Sequence, residues 1–407
     1  MKHSTQNTSF YSWTIVVMLW IVAFLNYLDR ILITSMRDPI VADFGLTDAQ
    51  FGLLTSVFLW SYGILSPFGG FFADRYSRKK VIVFSVMVWS AVTLWTGFTH
   101  SFYEMLAARF LMGVSEACYI PAALALITDY HRGRTRSLAT GLHMSGLYAG
   151  LALGGLGGYI AELWGWRSGF HVFGIVGIVY SIILLYVLKD YKAAPEEEKE
   201  PVVESISLTG ALKELFSKTS FYILLVYFAV LGIVNWLVYG WLPTFLKDHF
   251  HLKLGEAGIS ATGYIQIGSF IGVVLGGILA DRWTRKNNRG RLYVLIIGFT
   301  LGAPFLFLMA STTVFSIAII AMLFFGLARG FNDANMMPIL RQVADGRYIA
   351  TGYGFLNFLS TIIGGLMVYV GGALKDAQID LSIIYQVSAV AMLLATWLLF
   401  AVKLKKN

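Results

Sequence analysis

The sequence predicts an all-α membrane protein with twelve transmembrane helices in two related six-helix bundles. Three observations carry this reading. Of the 407 residues, 57% are hydrophobic and only 13% charged, against the roughly 25% charged residues of an ordinary soluble domain. Apolar runs of the length a bilayer demands, about 20 residues, recur along the chain. A string of residues in the first half is also repeated, in modified form, in the second.

The first run, about Trp13 to Ser35, is too long for the apolar core of a cleavable signal peptide, and it carries Asp29 and Arg30. It therefore reads as the first span, 13–36. Further runs follow at 48–73, 80–99, 103–128, 137–161 and 168–188, and then at 220–246, 257–281, 291–310, 312–338, 350–373 and 381–402. The fifth is rich in glycine (Gly150, Gly154, Gly155, Gly157, Gly158), which suits close helix–helix approach in lipid. Between the sixth and seventh runs, Lys189 to Lys218 contains Pro195, Glu196, Glu197, Glu198, Lys199, Glu200 and Pro201. This polar segment reads as a linker. The expected organisation is an N-terminal bundle over 1–188, a cytoplasmic linker over 189–219 and a C-terminal bundle over 220–407.

Net charge is +8, but the basic residues sit in short loops between apolar runs, which argues against a nucleic-acid partner. Arg75, Arg78, Lys79 and Lys80 follow the second span. Arg132, Arg134 and Arg136 follow the fourth, and Arg282, Arg285, Lys286, Arg289 and Arg291 the eighth. Lys403, Lys405 and Lys406 close the chain. The positive-inside rule makes this set cytoplasmic, so both termini are expected inside a multi-pass protein of the inner (plasma) membrane. The lone cysteine, Cys118, leaves no internal disulfide and no cysteine-based zinc site, so neither metal nor cofactor is expected. No His-Glu-x-x-His, Gly-x-Ser-x-Gly or phosphate-loop motif marks an enzyme.

The two halves match in detail. Gly69-Gly70-Phe71-Phe72-Ala73-Asp74-Arg75-Tyr76-Ser77-Arg78-Lys79 aligns with Gly276-Gly277-Ile278-Leu279-Ala280-Asp281-Arg282-Trp283-Thr284-Arg285-Lys286. Asn26-Tyr27-Leu28 echoes Asn235-Trp236-Leu237, and Gly113-Val114-Ser115-Glu116 echoes Gly326-Leu327-Ala328-Arg329. A near-constant offset implies duplication of a six-helix unit. The duplicated G-x-x-x-D-R-x-x-R-K string resembles the loop signature of the major facilitator superfamily, whose fold is two six-helix halves around a midplane site. The resemblance implies alternating access, with Gly70, Asp74, Arg75, Arg78, Asp281, Arg282 and Arg285 in conformational gating. Asp74 and Asp281 can cap a helix or pair with Arg78 and Arg285.

Charges buried in lipid cost at least a few kcal/mol, so Asp29, Arg30, Arg109, Glu116 and Arg329 must face partners or water. Asp333 lies one turn beyond Arg329 and can pair with it. The strings Asn26-Tyr27-Leu28-Asp29-Arg30 and Arg109 to Ala117, with Pro121, resemble the anion:cation symporter branch, with some similarity to spinster-type lysolipid carriers. The symporter resemblance implies proton-coupled transport of an organic anion, such as a hexuronate, sugar acid or sialate. Arg30 offers a planar fork for a carboxylate, while Asp29 and Glu116 are carboxyls that can take up a proton when desolvated. Each acid has a second reading, a static pair with Arg30 or Arg109. The expected partners are a small anion, protons and the bilayer, and the expected state is a monomer. The substrate set predicted around Arg30 is Tyr27, Tyr62, Tyr148, Asn235, Tyr239, Gln266, Arg329 and Asn357, and His143 is either a proton relay or an interhelical histidine.

Overall fold

Every apolar run of the sequence is helix, and among the described residues there is no strand. The computed structural model describes residues 3–131, 135–191 and 208–404, with the side chains of residues 3–9, 67, 70, 73, 74, 208, 346 and 350 outside that description. The linker residues Pro195 to Pro201, the loop residues Arg132 and Arg134, and the side-chain roles expected of Gly70 and Asp74 therefore lie outside the described residues.

The first half comprises α1 (His3–Leu32), α2 (Arg37–Phe44), α3 (Asp48–Arg75), α4 (Arg78–Thr96), α5 (Phe102–Glu116), α6 (Tyr119–Tyr130), α7 (Arg136–Leu153), α8 (Gly157–Trp164) and α9 (Trp166–Val187). The second comprises α10 (Leu208–Phe216), α11 (Thr219–Phe250), α12 (Leu254–Thr284), α13 (Gly290–Ser311), α14 (Phe315–Val343), α15 (Ile349–Asp376) and α16 (Leu381–Leu398). Among the described residues, eleven helical stretches are long and apolar enough to cross a membrane. The run at 137–161 is not in that set; it is divided into α7, a 3-10 turn over Gly154–Leu156 and α8. The predicted linker ends in the short helix α10, which buries Ala211 and Leu215 on one face, four residues apart.

Local chemistry explains the other interruptions. After α1, Ile33–Met36 is a 3-10 turn. Pro39 has no amide hydrogen for the Ser35 carbonyl, and the hydroxyls of Thr34 and Ser35 turn back onto the carbonyls of Ile31 (2.8 Å) and Leu32 (3.0 Å). Pro121 has the same effect between α5 and α6. By contrast, Pro243, Pro304 and Pro338 stay inside continuous α11, α13 and α14.

The chain clusters into two compact units. One holds 1–47, 53–200 and 253–259, and the other 48–52, 201–252 and 260–407. The core of the first includes Leu19, Val22, Ile82, Val86, Trp89, Tyr119, Leu126 and Leu184. The repeat is visible in packing. A methyl added at Gly113 would stand 2.5 Å from the carbonyl oxygen of Phe58, and one at Gly326 would stand 2.2 Å from that of Ile265. Both glycines let the fourth helix of a repeat lie against the backbone of the second.

Candidate functional site

In the first unit, α1 buries Asn26, Asp29 and Arg30, and α5 buries Arg109 and Glu116. Arg30 is 3% exposed and Glu116 is fully buried. Arg30 Nε donates to Glu116 Oε2 at 2.7 Å, a charge-assisted bond. The guanidinium of Arg30 lies 4.5 Å from the Tyr27 ring centroid and 4.3 Å from that of Tyr62, so two aromatic faces flank it. The Phe58 ring is shared, 5.3 Å from the Arg30 guanidinium and 4.7 Å from that of Arg109. A π face attracts both buried cations.

The partner of Arg30 is thus Glu116 and not its neighbour Asp29. Consecutive residues on a helix point in different directions. Asp29 instead accepts a long bond from Thr93 Oγ1 on α4, at 3.4 Å. Arg109 is held by its surroundings, with Nε on the Leu54 carbonyl at 3.3 Å and Nη1 on Met112 Sδ at 3.1 Å. Arg30 Nη2, Asp29 Oδ1 and Arg109 Nη2 are buried with no hydrogen-bond partner among the described residues. Buried polar atoms of this kind are costly, and they are donors and acceptors a bound group can use.

Charge counting shows what the group can do. With both acids ionised, the two arginines and two carboxylates sum to zero. One proton leaves the group at +1 and two leave it at +2, so proton uptake makes it attractive to an anion.

His143 on α7 is fully buried. Tyr119 Oη donates to the Leu19 carbonyl at 2.7 Å and meets His143 Nε2 at 3.0 Å. The hydroxyl hydrogen is committed to Leu19, so His143 Nε2 carries the proton and donates. The bond joins α6 to α7, a contact between helices.

In the second unit, Gln266 Nε2 on α12 donates to Tyr239 Oη on α11 at 3.0 Å. The Arg329 guanidinium on α14 lies 4.9 Å from the Tyr239 ring centroid. Arg329 Nε is 4.0 Å from Asp333 Oδ2. Tyr227 Oη donates to Asn332 Oδ1 at 2.9 Å, and Asn332 Nδ2 to Asp333 Oδ1 at 3.2 Å. Gln266 Oε1 is buried and unpartnered among the described residues. Tyr148, Asn235 and Asn357 are half-buried on α7, α11 and α15 and take no part in the bonds just described.

The basic motif pairs differently from expectation. Arg78 forms an ion pair with Asp129 at the end of α6 and donates to the Ala125 carbonyl at 3.3 Å. Asp281 pairs with Arg291 and not with Arg285. Arg291 Nη1 also reaches Asn335 Oδ1 on α14 at 3.3 Å. In each half, an arginine at the start of the third helix ties the motif region to the fourth. Arg75, Arg282 and Arg285 are exposed. Several residues of these clusters were not singled out from sequence, among them Phe58, Thr93 and Asp129. Phe58 was open to detection, since it lies one turn before Tyr62. Thr93 and Asp129 carried no local signal.

A helical membrane protein whose halves each bury an arginine among aromatic and acidic groups has the build of a solute carrier. The chain belongs to the Major Facilitator Superfamily, whose profile matches residues 19–369, and it is a membrane transporter. Protein spinster homolog 1 of Xenopus tropicalis is 28% identical over 385 residues, spanning 90% of this chain and 73% of that protein. The D-galactonate transporter of Escherichia coli O6:H1 is 26% identical over 409 residues, spanning 93% and 92%. The "Probable galactarate/D-glucarate transporter" of Escherichia coli K12 is 24% identical over 382 residues, spanning 86% and 84%. Both resemblances read from the sequence are therefore represented among the relatives. The fold matches the crystal structure of a bacterial homologue of the human lysosomal transporter Spinster, with a TM-score of 0.78, 22% identity and coverage of 96% of this chain and 95% of that one.

Proposed function

We propose that the chain is a proton-coupled symporter of an organic anion, an acidic sugar, working by alternating access. Arg30 carries the reading. It is a buried guanidinium between two tyrosine rings, bonded through Nε to a carboxylate, with Nη2 left for a ligand carboxylate. The sugar-acid transporters among the relatives support this choice of cargo. Asp29 and Glu116 take the coupling protons. Arg30, Tyr27 and Tyr62 contact the substrate from the first half, and Tyr239, Gln266 and Arg329 act in the second, with Tyr148, Asn235 and Asn357 as further polar contacts. Gly70, Asp74, Arg75, Arg78, Asp281, Arg282 and Arg285 serve gating. The bundles are 1–188 and 220–407, joined by 189–219. The protein works as a monomer in the plasma membrane with both termini in the cytoplasm, an orientation supported by its basic loops.

Purified protein in liposomes tests this. Labelled D-galactonate, D-glucarate and a hexuronate are offered with and without an inward proton gradient. Accumulation of at least one, driven by the gradient, is the expected result. Glu116→Gln should abolish gradient-driven accumulation and retain exchange of substrate across the membrane. Gradient-driven accumulation by that variant would remove Glu116 from coupling. A lysolipid anion is the second reading, favoured by the spinster likeness. Transport of lysolipid that none of the sugar acids competes with would replace the first reading by the second.

A further inference from the structure

The fourth span breaks at its carboxylate. α5 ends on Glu116, two residues intervene, and α6 starts at Tyr119. The cause is Pro121, which has no amide hydrogen to offer the Ala117 carbonyl four residues earlier. A backbone carbonyl released inside a membrane protein has to be met by something else. The Ser115 carbonyl is taken by Ser85 Oγ on α4 at 2.5 Å. The Ala117 carbonyl faces the bare backbone of Gly69 on α3, which sits so close that an added methyl would stand 2.3 Å from the Ala117 oxygen and 3.0 Å from Cys118 Cα. Just past the break, Tyr119 is bound to Leu19 on α1 and His143 on α7. Four helices thus each hold one point of the break, and the contact with α3 is the one that depends on a missing side chain.

We infer that Gly69 is a positioning residue: it seats α3 on the Ala117 carbonyl and thereby sets where Glu116 stands against Arg30. This rests on the reading of Glu116 as a coupling carboxyl. Ala117 directly follows Glu116, so a displacement of the break is passed to the carboxylate through one peptide unit. Restoring ordinary van der Waals distance around a methyl at Gly69 takes about 1 Å of movement. The 2.7 Å bond between Arg30 and Glu116 does not survive a shift of that size. Gly69 also opens the Gly69–Lys79 motif, so the same contact links the end of α3 that carries the motif to the coupling carboxyl.

The repeat supplies the control. Gly276 aligns with Gly69, and a methyl there would stand 2.8 Å from Phe331 Cα on α14. Yet α14 runs unbroken, and Arg329 stands where the first half has Glu116. Gly276→Ala is therefore also crowded, though less tightly, and lies away from any coupling carboxyl.

The test is the pH profile of substrate uptake in liposomes for the native chain, Gly69→Ala, Pro121→Ala and Gly276→Ala, with thermal stability measured in parallel. In Gly69→Ala the uptake midpoint should move by about one pH unit towards alkaline, a tenfold change in proton affinity, since a carboxyl that loses its arginine holds its proton more firmly. Gly276→Ala should lose stability with its midpoint unmoved. Should Gly69→Ala not fold, Pro121→Ala decides, because its new amide can bond Ala117 and draw the break away from α3; a moved midpoint is expected. An unmoved midpoint in whichever of the two folds, or an equal shift in Gly276→Ala, overturns the inference. Native uptake that ignores pH altogether overturns the reading of Glu116 itself.

Discussion

The two halves share a motif and a packing glycine but differ in backbone continuity. In the first half, the first, fourth and fifth spans are interrupted, by a 3-10 turn after Leu32, by a break after Glu116 and by a 3-10 turn at Gly154. Their counterparts in the second half, α11, α14 and α15, run through. The buried charges differ in the same sense. The first half sets two arginines against two carboxylates, with Arg30 and Glu116 in direct contact at 2.7 Å. The second sets Arg329 on a tyrosine face with Asp333 at 4.0 Å and surrounds both with neutral amides. Helix ends expose carbonyl and amide groups that interact with charge, and an interrupted helix has such ends in mid-membrane. After duplication, the halves have thus diverged in charge and backbone continuity; in the proposed function the first titrates and the second binds.

The sharpest way to break that comparison is to remove each arginine. Losing one partner of a buried ion pair costs about 3–5 kcal/mol, so Arg30→Ala should lower thermal stability strongly and abolish stabilisation by substrate. Arg329→Lys keeps its charge and loses the planar stacking of the guanidinium on Tyr239, at a cost of about 1–2 kcal/mol. Its expected effect is a roughly tenfold weaker apparent affinity for substrate with pH dependence intact, since about 1.4 kcal/mol is tenfold. Equal penalties, or a displaced pH profile in Arg329→Lys, would mean that the halves share the titrating role.

A smaller effect probes the amide side of the second half. Tyr239→Phe removes the acceptor of Gln266 Nε2 and leaves that buried amide unbonded, at about 1–3 kcal/mol. A lowered melting temperature should be recovered in part by a further Gln266→Leu change, which removes the stranded group. No recovery would show that Tyr239 acts through Arg329 alone.

The smallest effect lies outside the membrane. Asp380 caps α16, accepting from the Ser382 hydroxyl at 2.6 Å and its amide at 2.7 Å, and these bonds hold its carboxyl below the ordinary carboxylate range. A carboxyl depressed in the folded state stabilises above its unfolded-state value, and this contribution is lost as pH falls through the folded value. Asp380→Ala should cost about 1 kcal/mol. Thermal melts at neutral and strongly acid pH should show the difference at neutrality and its disappearance in acid.

Legibility in the sequence varied with how local each cause was. Spans, loops and linker follow from runs of apolar residues, and the twelve expected runs are all helical. The break after Glu116 was written in the sequence as Pro121 four residues beyond Ala117, although its consequence appears only once Gly69 is found against the freed carbonyl. Tyr27 and Tyr62 were named as substrate contacts, and the structure stacks both on Arg30. The pairings of Arg78 with Asp129 and Asp281 with Arg291 went unforeseen, because nearer acids and bases, Asp74 and Arg285, offered themselves on the same loops.

By itself, the sequence determined that the chain is a multi-pass membrane protein and that a motif recurs in its two halves. The first is settled segment by segment, because the cost of placing a residue in a bilayer depends chiefly on its own chemistry and that of its neighbours in the chain; the second follows from comparing the halves. Only the tertiary structure decided that Arg30 bonds Glu116, 86 positions away, and not the adjacent Asp29. That choice depends on which faces of α1 and α5 meet, and the glycines and helix breaks that set those faces act through packing rather than through sequence proximity.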